Sequence, residues 1–363
     1  MAGRITVVLS QGQSHNPAKR KLEEDIVAAL LFERGVEVAV IPNLYDLASD
    51  GTGMLCLQGI SGDTIVLSWL YPRAARWILN RNDVRGQEGT SLLVEDLDDG
   101  DEEANEADDE KNRVIDQLEL PSRRIYCIDL RVSSDAAEFV EEVRRIADET
   151  ATPVVQLDGW LGGDPKQEQL EQFHKPAAGN VHHDDDVNGQ VAASESAKQS
   201  DLSKIIEPIV VDEDASRRWY PVIDFGRCTN CMECIDFCLF GVYGVDRAET
   251  ILVEQPDNCR KGCPACSRVC PENAIIFPQH KTPTIAGSAD VAVSMKIDLS
   301  KLFGAPDADA VDVAVRERDE QLQLVGRDVV GHEIGLARRQ ADKGKTPKDD
   351  LDDLINQLDE FEL

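Results

Sequence analysis

The chain has 363 residues, room for roughly two to three domains, and carries 69 acidic against 38 basic side chains, a formal charge of −31. That balance repels phosphate backbones and no basic patch offsets it, which argues against nucleic acid as a partner. No apolar run reaches the roughly 18 residues a membrane-spanning helix needs.

The first elements alternate. The apolar run Ile-Thr-Val-Val-Leu-Ser after Arg4 reads as a buried strand. Asn16 before Pro17 is a cap followed by a first-turn proline, and it opens a helix with Leu22, Ile26, Ala29, Leu30 and Glu33 at helical spacing. Gly35 ends that helix, and Val36 to Ile41 is a second buried strand. A β-α-β unit of this kind predicts a parallel sheet. Thr64 to Leu70 continues it as a strand, and Pro72 opens a helix carrying Ala75, Trp77, Ile78 and Leu79. Ile125 to Leu130 is a further strand, Asp135 to Glu149 a helix with Phe139, Val143 and Ile146 on one face, and Val154 to Leu157 a short strand. The expectation is an α/β domain over residues 1–158, doubly wound around a mostly parallel sheet.

Residues 95–112 interrupt that domain. From Glu95 to Glu110, eleven of sixteen side chains are acidic, a composition that repels itself and is expected to stay disordered. Residues 159–215 are polar and read as a linker; the run His182-His183-Asp184-Asp185-Asp186 inside it lacks the flanking structure a metal site needs. Residues 283–363 read as a polar tail. Leu351, Leu354, Ile355, Leu358 and Phe361 near its end have the spacing of a short amphipathic helix.

The first βα turn, Ser10 to Asn16, lies where doubly wound domains take ligands. Gly12 stands alone there, so neither a dinucleotide fingerprint nor a phosphate loop is present. Ser10 and Ser14 make only a poor flavin-phosphate loop. Cys56 and Cys127 sit in apolar surroundings and read as core.

Chemistry is legible between residues 228 and 270, which hold eight of the ten cysteines. The first group runs Cys228-x2-Cys231-x2-Cys234-x3-Cys238, the second Cys259-x3-Cys263-x2-Cys266-x3-Cys270-Pro271. Cys231, Cys234 and Cys238 map onto Cys263, Cys266 and Cys270 with a constant offset of 32 residues. The same offset carries Tyr243-Gly244-Val245 onto Ile275-Ile276-Phe277, so the stretch reads as a duplicated unit. Val222-Ile223-Asp224 and Ile251-Leu252-Val253 are the strands expected to lead into each loop. The Cys259–Cys263 loop holds one residue more than its counterpart, beside Gly262. Residues 217–281 carry eight basic and eight acidic side chains, so this neutral module sits inside a very acidic chain. The N-terminus lacks the pattern of a secretory signal, and the expected compartment is the cytoplasm, where thiols stay reduced and clustered cysteines bind metal rather than pair. Two zinc sites are the rival reading, although zinc uses two separated cysteine pairs.

With its three closely spaced cysteines, a fourth after three residues and the closing Cys-Pro step, the stretch over residues 217–282 resembles the bacterial-type ferredoxins that hold two [4Fe–4S] clusters. The resemblance implies a small α+β module. It assigns Cys228, Cys231, Cys234 and Cys270 to one cluster, and Cys238, Cys259, Cys263 and Cys266 to the other. Two departures stand out: the longer Cys259–Cys263 spacing, and Leu239 in place of a proline after Cys238. The function implied is single-electron transfer between redox partner proteins, with no catalytic side chain. The alternative is a redox enzyme or enzyme subunit whose α/β domain binds a substrate or flavin and uses the clusters as a relay. A third reading is a scaffold in which the clusters only stabilise a partner-binding fold.

Overall fold

The computed structural model describes residues 5–94, 112–151, 207–213, 216–288 and 309–336. Six strands among them form one sheet: β1 (Ile5–Ser10), β2 (Val36–Ile41), β3 (Thr64–Ser68), β4 (Gln87–Gly89), β5 (Arg124–Asp129) and β6 (Ile209–Val210). Their order is β4-β5-β3-β1-β2-β6, and every pair is parallel. β1 lies between β3 and β2, with Val8 opposite both Val66 and Ala39. Parallel strands are covered on both faces, which is why β3 is buried along its whole length and why its sequence is a continuous apolar run.

Successive residues of β1 serve opposite faces. Val7 and Leu9 pack with helices α1 (Pro17–Leu30) and α4 (Ala136–Ala151) through Leu22, Ile26, Phe139, Val143 and Ile146. Val8 packs with α2 (Thr52–Gly59) and α3 (Pro72–Arg81) through Met54, Leu57 and Ile78. The α/β domain is therefore wound on both sides of its sheet, as the alternation predicts. Asn16 does cap α1: its Oδ1 accepts from the Ala18 N–H at 2.9 Å.

The structure also departs from the expected elements. α1 stops at Leu30, before Glu33, whose carboxylate instead meets Arg144 of α4. β3 ends at Ser68, two residues short of Leu70. α2 and β4 had no periodic signal, because each is too short to show one. β6 lies within the polar stretch 159–215. Val154–Leu157, the acidic stretch 95–111, the His182–Asp186 run and residues 349–363 fall outside the described residues.

The cysteine stretch forms two antiparallel strand pairs and two short helices. β7 (Val222–Ile223) pairs with β10 (Ile275–Ile276), and β8 (Tyr243–Val245) with β9 (Ile251–Val253). Helix α5 (Glu233–Phe237) and helix α6 (Ala265–Val269) begin and end 32 residues apart. After α7 (Pro283–Ala286) comes α8 (Ala310–Leu324), a helix inside the region expected to be a polar tail, which packs against α6.

The cysteine module and the α/β domain share buried surface. Trp77 and Ile78 of α3 belong to one buried cluster with Tyr220, Val222 and Ile276. Tyr45 and Tyr220 stack with ring centroids 4.4 Å apart, and each hydroxyl bonds the other's backbone. Arg73 of α3 is ion-paired with Asp224, with side chains 10% and 5% exposed.

Candidate metal centre

Each half of the module bends through backbone that ordinary residues avoid. In the first loop Asn230 and Met232 have φ near +60° and +65°; in the second Gly262 stands at +86°. The extra residue of the Cys259–Cys263 loop is thus taken up at a glycine, where the left-handed region carries no Cβ penalty. Such turns aim peptide N–H groups inward. The Asn230 N–H reaches Cys228 Sγ at 3.5 Å and the Ala274 N–H reaches Cys270 Sγ at 3.2 Å. Backbone N–H groups of Phe240 and Val242 face Cys238, that of Arg260 faces Cys259, and that of Ala265 faces Cys263. Both short helices end on a cysteine: the Cys238 N–H donates to Cys234 O, and the Cys270 N–H to Cys266 O.

The eight cysteines gather in two sets. Burial pushes the Cys228 thiol up to about 11, with Cys270 and Cys231 adding to the rise. Cys234 is raised by burial and then by Cys270, Cys228 and Cys231. In the second set burial lifts Cys263 to about 11, with Cys238 contributing, and Cys266 rises through burial and then through Cys238 and Cys259. Cys259 rises through burial, Cys263 and Cys238. Each set therefore takes three cysteines from one loop and the fourth from the other half of the module.

Buried thiols of this kind become thiolates only beside a positive partner. Iron supplies one, and the inward N–H groups supply hydrogen bonds to sulfur. Eight soft sulfur donors in two sets of four suit four-iron clusters in number and in type. Among the described residues no three His, Cys, Asp or Glu side chains converge closely enough for a single metal ion.

Cys56 and Cys127 take no part. Both pack against the sheet core, and burial lifts the Cys127 thiol to about 12.

Two residues at the centre have contacts that the cysteine pattern does not foretell. The Tyr243 hydroxyl donates to Cys266 Sγ at 3.1 Å. Its repeat counterpart is Ile275, and a lone aromatic in a β-prone run carries no signal. Arg318 of α8 is 1% exposed, and its guanidinium lies over the Phe237 ring, 4.6 Å from the centroid. Its signal was readable: Val311, Ala314, Val315 and Leu322 mark a helical apolar stripe, and Arg318 occupies a place on it. Arg260 and Lys261, beside Cys259, are exposed, and Arg260 stacks over Phe240.

The crest of the α/β domain meets the second set. A cleft of about 490 Å³ is lined by Arg217, Arg218, Trp219, Cys259 and Lys261 on the module side and by Asp46 and Asp50 on the other. It shares Asp46, Glu213 and Arg217 with a cleft of about 310 Å³ over the β1 and β2 ends, where His15, Arg20 and Gln11 lie. The acids there are largely committed. Glu213 accepts from the Gly53 N–H at the start of α2, Asp46 from the Arg218 N–H, and Asp257 pairs with Arg218.

Over 66 residues, 18% of this chain, the sequence is 50% identical to an uncharacterized ferredoxin of Methanocaldococcus jannaschii. The match covers 44% of that protein, so the chain spans less than half of its relative's length. The chain thus contains a ferredoxin-like segment. No family model matches the chain. No solved structure matches it.

Proposed function

We propose that this protein is an iron–sulfur electron carrier holding two [4Fe–4S] clusters and passing single electrons between redox partner proteins. The observation that carries the reading is the division of eight cysteines, seven of them lifted by burial, into two sets of four, each completed from the opposite half of the module. Cys228, Cys231, Cys234 and Cys270 would hold one cluster, and Cys238, Cys259, Cys263 and Cys266 the other. Bound there, each cluster supplies one-electron redox chemistry. The chain's own part is to keep water away with Phe237, Val269, Ile275 and Phe277, and to steady the sulfurs through peptide N–H groups and Tyr243. No side chain is assigned an acid or base role. The expected compartment is the cytoplasm; among the described residues no helix is long and apolar enough to cross a membrane.

Iron and sulfide analysis with anaerobic spectroscopy, on wild type and on Cys259→Ser, tests the reading. About eight irons per chain are expected from two four-iron clusters. A wild-type count near four removes one cluster, and zinc in place of iron removes both. Loss or altered spectra of one cluster in Cys259→Ser supports that residue as a ligand despite its longer spacing.

A second reading has a specific observation in its favour. Cys259 forms part of the wall of the cleft that continues to the β1 and β2 ends, so a molecule seated there would lie beside the second cluster. In that case the chain is a redox enzyme or subunit and the clusters are its relay. A small molecule released on denaturing the purified chain, and lost from Arg217→Glu, is the expected result for that reading. Protein that cycles its clusters with no molecule bound speaks for the carrier.

A further inference from the structure

The two cysteine sets have different charges around them. Arg318 enters the module from α8, a helix the cysteine pattern does not include. Its side chain is buried at 1% exposure and fully used: Nη2 donates to Gly331 O at 2.6 Å, Nη1 to Ile334 O at 2.9 Å and Nε to Asp319 Oδ1 at 3.0 Å. The guanidinium covers Phe237, the residue before Cys238. Gly335 lies close against it. A Cβ there would stand 3.0 Å from both Asp236 O and Phe237 Cα and 3.1 Å from Arg318 Nη1, so the approach requires glycine, which also holds φ at +85°. This charge acts on Cys238 and Cys263, both in the second set.

The other charges near the sets are paired, exposed or of opposite sign. The first set has the buried carboxylate of Asp224 acting on Cys228, partly offset by Arg73 and Arg227. Around the second set, Glu317 acts on Cys263 but is paired with Arg268, and Asp319 faces Arg318 itself. Arg260 and Lys261 are in water, where screening weakens their effect. A buried cation close to a cluster favours the state with one more electron, whereas a buried anion opposes it.

On the two-cluster reading above, we propose that Arg318 is a positioning and tuning residue that makes the second cluster the higher-potential member of the pair. An electron taken up at the Cys228 side then settles on the cluster held by Cys238, Cys259, Cys263 and Cys266. No atom is transferred in this step: the first cluster is oxidised by one electron and the second reduced by one. The electron comes to rest beside the cleft that Cys259 helps to line.

The test is an anaerobic redox titration of the full chain followed by EPR, on wild type, Arg318→Met and Asp319→Asn, with iron counted in each. Wild type should show two midpoints. Arg318→Met should move the higher one down, and Asp319→Asn, which removes the opposing charge and keeps the shape, should move that same midpoint up. Both shifts should exceed that of the Arg260→Gln/Lys261→Gln double variant. Cys259→Ser, which perturbs the second cluster, identifies its midpoint. Unmoved midpoints in variants that retain about eight irons overturn the proposal, as does movement of the lower midpoint. If Arg318→Met does not fold, the upward shift in Asp319→Asn decides alone. Fewer irons in wild type would instead strike at the two-cluster reading, so the two failures are distinct.

Discussion

Tyr45→Phe tests whether the cysteine module and the α/β domain are one cooperative unit. The Tyr45 hydroxyl donates to Tyr220 O at 2.5 Å and accepts from the Tyr220 N–H at 2.6 Å, and the two residues are 0% and 1% exposed. Phenylalanine keeps the ring stacked at 4.4 Å and removes only the oxygen. Two backbone groups then lose their partner where water does not reach. At about 1–3 kcal/mol for each orphaned group, the cost is about 2–6 kcal/mol. With a urea slope of about 3 kcal/mol per M, the unfolding midpoint should fall by about 1 M. Urea titrations followed by far-ultraviolet circular dichroism and by the visible absorbance of the proposed clusters are the assay. In wild type the two signals should change together. In Tyr45→Phe the midpoint should drop, and the cluster signal is expected to be lost first. A midpoint within about 0.2 M of wild type would refute the account, since the orphaned groups would then have found other partners.

The same pair predicts a response to alkali. Burial lifts the Tyr220 phenol to about 12 and raises Tyr45 as well, above the value of 10.0 that each has when exposed. Between pH about 10 and 12 the folded chain holds protons that the unfolded chain has lost, so stability is full below that window and falls with rising pH across it. The slope is about 1.4 kcal/mol per pH unit for each group, and thermal melts against pH should be shallower for Tyr45→Phe. Asp224→Ala leaves Arg73 buried without its counter-ion and should cost about 3–5 kcal/mol in a denaturant melt. Arg73→Met should cost clearly less, because Asp224 keeps Arg227 at 3.9 Å and the Gly226 N–H at 2.8 Å as partners; equal losses would contradict the buried-pair account.

The doubly wound sheet was legible because its inner strands β1, β2, β3 and β5 are apolar runs and because α1, α3 and α4 are each ten residues or longer, with an Asn-Pro start for α1. The spacing of the cysteines made the duplication legible, and the 32-residue offset reappears in the ends of α5 and α6. What escaped was tertiary. The apolar stripe of α8 can be read from its spacing, but nothing local shows that the arginine on it reaches Phe237 in the cysteine module. β6 is two residues long and both are exposed, leaving no pattern to read. The joint between α3 and the module depends on Trp77, Arg73 and Tyr45, none of which a local window connects to residue 220 or 224.

β7 opens the first repeat and lies against β10, which closes the second; β8 closes the first and lies against β9, which opens the second. Neither repeat has its own sheet, and Cys270 and Cys238 each lie near cysteines of the other repeat. The repeats are clasped like two halves of an exchanged dimer that happen to share a backbone. A cut in the Asp246–Thr250 turn would break the chain at a point where the two halves already hold each other.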